Sequence, residues 1–65
     1  MSKYLLQLRD ELLTLNEELN KELSDIQKNA KGEGGFNKAA LKRTRALTLK
    51  IAKVSKEYRQ VSLSI

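Results

Sequence analysis

Cysteine, histidine, proline and tryptophan are all missing from this chain, and the first two absences remove whole classes of chemistry. Without Cys there is no disulfide and no thiolate, and without His almost every transition-metal site is excluded as well. The same gaps remove the usual proton-transfer group near neutral pH and the thiol nucleophile. Ser2, Ser24, Ser55, Ser62 and Ser64 have no base of the usual kind to activate them. Gly32, Gly34 and Gly35 are not followed by the Lys-Ser/Thr of a phosphate-binding loop. No catalytic residue, cofactor or metal site is expected, and the chain reads as a non-enzyme. Long apolar runs are lacking too: Met1-Ser2-Lys3-Tyr4-Leu5-Leu6 turns polar within a few residues, and nothing approaches the ~18 residues of a membrane span. The expectation is a soluble cytoplasmic protein, or one packaged inside a particle.

Sixty-five residues make at most one domain. A chain this short struggles to bury enough apolar surface to offset roughly 1.5 kcal/mol of ordering entropy per residue. With disulfides and metals excluded, self-association is the remaining source of stability, so a homodimer or larger homo-oligomer is expected.

What is present is organised in two long segments around one turn, because all three glycines fall between residues 32 and 35. Before the turn, Leu5, Leu8, Leu12, Leu15 and Leu19 recur at steps of three and four, with Leu23, Ile26 and Ala30 continuing the stripe. This spacing predicts an amphipathic helix over about 2–29. After a turn over about 30–36, Ala40, Thr44, Leu47, Ile51, Val54, Tyr58, Val61 and Ile65 alternate steps of four and three without a break. A second helix is expected over about 37–63, with Asn37 as N-cap and Phe36 packing on Leu41 as a hydrophobic staple. The fold class is all-α: an antiparallel two-helix hairpin, dimerising into a four-helix bundle that would cover Leu6 and Leu13. Leu49 and Leu63 fall on the far face of the second helix and have no partner in this scheme.

The net charge of +5 is unevenly distributed. Residues 1–31 hold five cations and six acids, whereas residues 32–65 hold eight cations and two acids, so the second segment carries +6. If residue 30 lies near residue 38, Glu17 and Glu18 fall beside Lys50, and Asp10 and Glu11 fall level with Arg59. Such exposed pairs contribute only ~0–1 kcal/mol each, and a solvated face of loosely paired lysines explains Lys50, Lys53, Lys56 and Arg59 as well as function does. Lys38, Lys42, Arg43 and Arg45 are harder to explain that way. They crowd the positive end of the helix dipole, where cations are disfavoured by ~0.3–1 kcal/mol each. Lys28 and Lys31 approach the same tip. An external polyanion would resolve the conflict, since clustered Arg and Lys and a helix N-terminus all favour phosphate.

Lys38, Lys42, Arg45, Lys56 and Arg59 also fall on one stripe opposite the apolar seam, a ridge suited to an extended phosphate backbone. Anionic lipid is a rival for a basic amphipathic helix, but the seam lacks Trp and its regular spacing suits helix packing better. Base-specific readout has no support, as neither a zinc finger nor a helix-turn-helix is evident. Aromatic stacking has little, as Tyr4 and Phe36 are isolated and Tyr58 belongs to the seam. Duplex DNA held through its phosphates is the simpler expectation.

Asn37-Lys38-Ala39-Ala40, then Arg43-x-Arg45, Lys50, Lys53-Val54, Lys56, Tyr58-Arg59 and Ser62, resemble the chlamydial linker-histone-like (histone H1-like) nucleoid proteins, in one register without gaps over residues 37–63. The resemblance implies nucleoid condensation by non-specific DNA binding, with Lys38, Arg43, Arg45, Lys50, Lys53, Lys56 and Arg59 as the matching basic positions. Lys42 rests on the charge pattern alone. The chlamydial proteins continue into a long tail rich in Lys, Ala and Pro and have a shorter Lys-Gly junction. This chain stops at Ile65 and carries Gly-Glu-Gly-Gly, so lower affinity per chain, offset by multivalency, is expected.

The sequence thus predicts sequence-tolerant binding and compaction of double-stranded DNA by a nucleoid-associated protein (or a virion-core protein if viral). Arg43 and Arg45 are expected as the principal clamps, with Lys38, Lys42, Lys50, Lys53, Lys56 and Arg59 adding reach. The alternative is a structural coiled-coil or bundle adaptor whose partner is another protein. In that case the leucine seams matter and the basic positions do not.

Overall fold

The computed structural model describes residues 3–27 and 35–65. Two helices, α1 (Lys3–Asp25) and α2 (Lys38–Leu63), lie side by side and antiparallel in a rod of 49 × 15 × 11 Å. The hairpin expected from the periodicity is therefore the fold. The expected seam position Ala30, the tip residues Lys28, Lys31 and Glu33, and Gly32 and Gly34 of the turn lie outside the described residues.

α2 begins as its sequence dictates. Asn37 has extended backbone, and its side-chain oxygen accepts from the N–H groups of Ala39 and Ala40 at 3.1 and 3.2 Å. Two donors that no helical carbonyl can satisfy are thereby paired. Gly35, two residues earlier, has φ +68, a left-handed conformation that a side chain at this point would strain. α2 then runs unbroken to Leu63. Within it, the hydroxyls of Thr44, Thr48 and Ser62 bond back to the carbonyls of Leu41, Arg45 and Arg59. β-Hydroxy residues are thus accommodated without breaking the helix.

α1 ends earlier than the expected residue 29. Its ladder closes at Asp25; Ile26 N–H bonds Leu23 C=O at 3.4 Å, and Ile26 C=O accepts from Asn37 N–H at 2.7 Å. That carbonyl serves the returning chain, which ties the end of α1 to the start of α2. The seam of α1 also differs at this end. Leu23, expected to continue the stripe, is 46% exposed, whereas the Glu22 side chain is only 22% exposed and faces α2. A helix of 3.6 residues per turn places the position after Leu19 between 22 and 23, and the ion pair of Glu22 with Arg43 favours the acid.

That pair also corrects the register. With residue 30 opposite 38, Glu22 would lie level with residue 46; its partner is Arg43, almost one turn nearer the tip. Glu11 accordingly shares a groove with Lys53, Val54 and Glu57, and Asp10 pairs with its neighbour Arg9 at 3.0 Å instead of lying level with Arg59.

The core is thin. Among the described residues Leu8, Ala40, Thr44 and Leu47 are buried, while Leu5, Leu12, Leu15, Leu19, Ile51, Val54, Tyr58 and Val61 are half-buried. Ala40, in the first turn of α2, is completely covered. Among the described residues no helix is long and apolar enough to cross a membrane.

Candidate nucleic-acid interface

All eight cations singled out on α2 are exposed, and the helix sorts them into two sets. At 100° per residue, Arg43, Lys50 and Lys53 lie on the flank of α2 that turns toward one side of α1. Lys38, Lys42, Arg45, Lys56 and Arg59 lie on the side away from it.

The first set meets acids. One groove between the helices is lined by Glu11 of α1 and by Lys50, Lys53 and Glu57 of α2. The next, toward the tip, is lined by Glu18, Lys21 and Glu22 of α1 and by Arg43 and Lys50 of α2. Glu18 and Lys50 are brought to the same groove, as expected. Within it, Arg43 Nε donates to Glu22 Oε1 at 2.8 Å, and the Arg43 side chain keeps half of its surface in solvent. Among the described residues this is the ion pair that joins the helices. Arg43, expected as a leading clamp, is thus already engaged within the hairpin. The partner that sequence reasoning missed is Glu22. Its signal was present, three residues after Leu19 and four before Ile26, which is a seam position occupied by an acid.

Apart from Arg43, none of these eight cations has a carboxylate at ion-pair distance among the described residues, and Lys38, Lys42, Arg45, Lys56 and Arg59 also lie outside both acid-bearing grooves. From Lys38 to Arg59 the ridge runs roughly 32 Å at 1.5 Å per residue, close to the ~34 Å of one duplex turn. Its tip end has no acid in the first helical turn. The Asn37 side chain occupies two of the free N–H groups there, so anion attraction at this end comes chiefly from the side-chain charges. Leu49 sits among these cations, 73% exposed, and Leu63 is 86% exposed near the helix end.

A small, extended, all-helical protein with one mixed-charge flank and one exposed basic ridge is the class that fold and surface define. The family model of the histone H1-like protein Hc1 matches residues 13–65, extending the resemblance seen over 37–63 back through most of α1. The chain belongs to this histone H1-like family. No curated protein and no solved structure matches it.

Proposed function

We propose that the protein is a nucleoid-associated architectural protein, without catalytic activity, that binds and compacts double-stranded DNA with little regard for sequence. The observation that carries this reading is the ridge of Lys38, Lys42, Arg45, Lys56 and Arg59, exposed over about one duplex turn, in a chain of the histone H1-like family. Cations that lie outside the acid-bearing grooves and have no carboxylate at ion-pair distance among the described residues are the ones most available to displace counterions from phosphate. Arg43, Lys50 and Lys53 lie beside acids of α1 and add longer-range attraction; Arg45 replaces Arg43 as the leading clamp. Oligomers of hairpins supply the avidity that one short ridge lacks.

The test is a gel-shift titration on two unrelated duplexes of equal length, repeated over a salt series. Wild type is expected to bind both alike, with log K falling against log salt at a slope near −5 for about six phosphates. Arg45→Glu/Lys56→Glu should weaken binding at least tenfold on both duplexes. Absence of wild-type binding at low salt would overturn the reading and favour the adaptor that contacts another protein.

A further inference from the structure

The centre of the basic ridge is apolar. Leu49 is 73% exposed, and Ala52, three residues on, is exposed as well. At 100° per residue, Lys38, Lys42, Arg45 and Lys56 all lie within about 40° of Leu49 around α2. Leu49 is eleven residues after Lys38 and ten before Arg59, midway along the ridge. Glu57, the one acid of α2, lines a groove on the α1 side. Single exposed leucines are common and need no partner. Leu49, however, stands opposite the seam of Thr44, Leu47 and Ile51, in the middle of a line of cations.

Charge at both ends and apolar surface between them match the profile of a duplex groove. A straight helix lies tangent to a curved groove, so its middle approaches the base edges while its ends meet the phosphates of the lips. The major groove, about 12 Å wide, admits a helix of roughly 10 Å, and the minor groove, about 6 Å wide, does not. Arg45 and Lys56, on either side of Leu49, are roughly 16 Å apart along the axis, enough to set one at each lip. Between the lips, the floor of the major groove offers one apolar group, the C5-methyl of thymine. Leu49 supplies that methyl with a partner that no lysine or arginine can, and the small Ala52 beside it leaves room for close approach.

We infer that Leu49 contacts thymine methyl groups in the major groove, which gives an otherwise sequence-tolerant protein a mild preference for A·T-rich duplex. The contact rests on the DNA reading and adds to it the groove that α2 enters. Burying one methyl changes affinity about fourfold, which leaves unrelated duplexes of similar composition bound alike.

The test compares two duplexes of alternating adenine and thymine, identical except that one carries deoxyuridine in place of thymidine and so lacks the methyl. Wild type should bind the thymidine duplex about fourfold more tightly. Leu49→Ala, a change that suits a helix, should bind both duplexes equally and keep the salt slope of wild type, since no cation is lost. Leu49→Met retains the apolar volume and should retain the difference. Equal binding of both duplexes by wild type, or a difference that persists in Leu49→Ala, overturns the methyl contact and leaves the phosphate-binding ridge intact. Should Leu49→Ala lose the same factor of affinity on both duplexes, the leucine acts in the methyl-free minor groove or between base steps, and the inference fails. Failure of wild type to bind either duplex at low salt overturns the DNA reading and the methyl contact with it.

Discussion

Arg43 Nε donates to Glu22 Oε1 across 2.8 Å, and this contact joins α1 to α2 one turn from the closed end of the hairpin. Half of the Arg43 side chain is in water, so the pair contributes at most about 1 kcal/mol. Arg43 therefore has a structural partner, whereas Arg45, two residues on, has no carboxylate at ion-pair distance among the described residues. The two arginines should separate under mutation. Arg43→Ala is expected to lower Tm by a few degrees and weaken duplex binding less than Arg45→Ala does. Arg45→Ala should leave Tm nearly unchanged and weaken binding several-fold. Melting followed by circular dichroism, with gel shifts on the same samples, gives both readouts.

Removing the acid tests the same contact from the other side. Glu22→Gln releases Arg43 from its charge partner and adds a unit of positive charge to the chain. Duplex affinity should rise, and the salt slope should steepen by up to about 0.9, the increment for one further phosphate. An unchanged slope with slightly raised affinity would mean that Arg43 acts through general attraction only and does not reach the backbone.

The hairpin was legible in the sequence because two independent signals agree: the three-four spacing of Leu5 to Leu19 and of Ala40 to Val61, and glycines confined to a single place. The Asn37 cap was legible for the same reason, as its chemistry stands immediately before the pattern. The register was not, because hydrophobic spacing is nearly invariant to sliding one helix by a turn. What fixes it is the bond from Asn37 N–H to Ile26 C=O and the pairing of Glu22 with Arg43, contacts between residues that no local rule connects. The eight candidate cations could be read from the sequence as a set. The ridge of Lys38, Lys42, Arg45, Lys56 and Arg59 opposite the seam could be read as well; the engagement of Arg43 by Glu22, and the acids that line the grooves beside Lys50 and Lys53, followed only once the position of α1 was known.

Ala40 tests how tightly the start of α2 is packed. It is fully covered near the tip, where Ile26 and Asn37 are joined by a backbone bond. Ala40→Leu forces three extra carbons into that contact, and overpacking of this kind costs about 1–3 kcal/mol. The melting temperature should fall by several degrees while the salt slope stays as in wild type, since the ridge is untouched. If Ala40→Leu is as stable as wild type, the surroundings of this methyl are not as tightly packed as its complete burial implies.

Asn37 allows folding and binding to be pulled apart at a single position. Asn37→Ala removes the acceptor for the Ala39 and Ala40 N–H groups and should cost about 1 kcal/mol. For a domain of this size that corresponds to a drop of about 4–8 °C in Tm. Asn37→Asp keeps the acceptor and adds a negative charge at the positive end of the helix dipole, so stability should be retained or slightly raised. The same charge adjoins Lys38 and opposes phosphate at the tip end of the ridge. Asn37→Asp should therefore bind duplex more weakly than Asn37→Ala under conditions where both are folded, although it melts at the higher temperature. The reverse order of affinities would show that the tip of the ridge takes no part in binding and that the contact lies further along α2, toward Lys56 and Arg59.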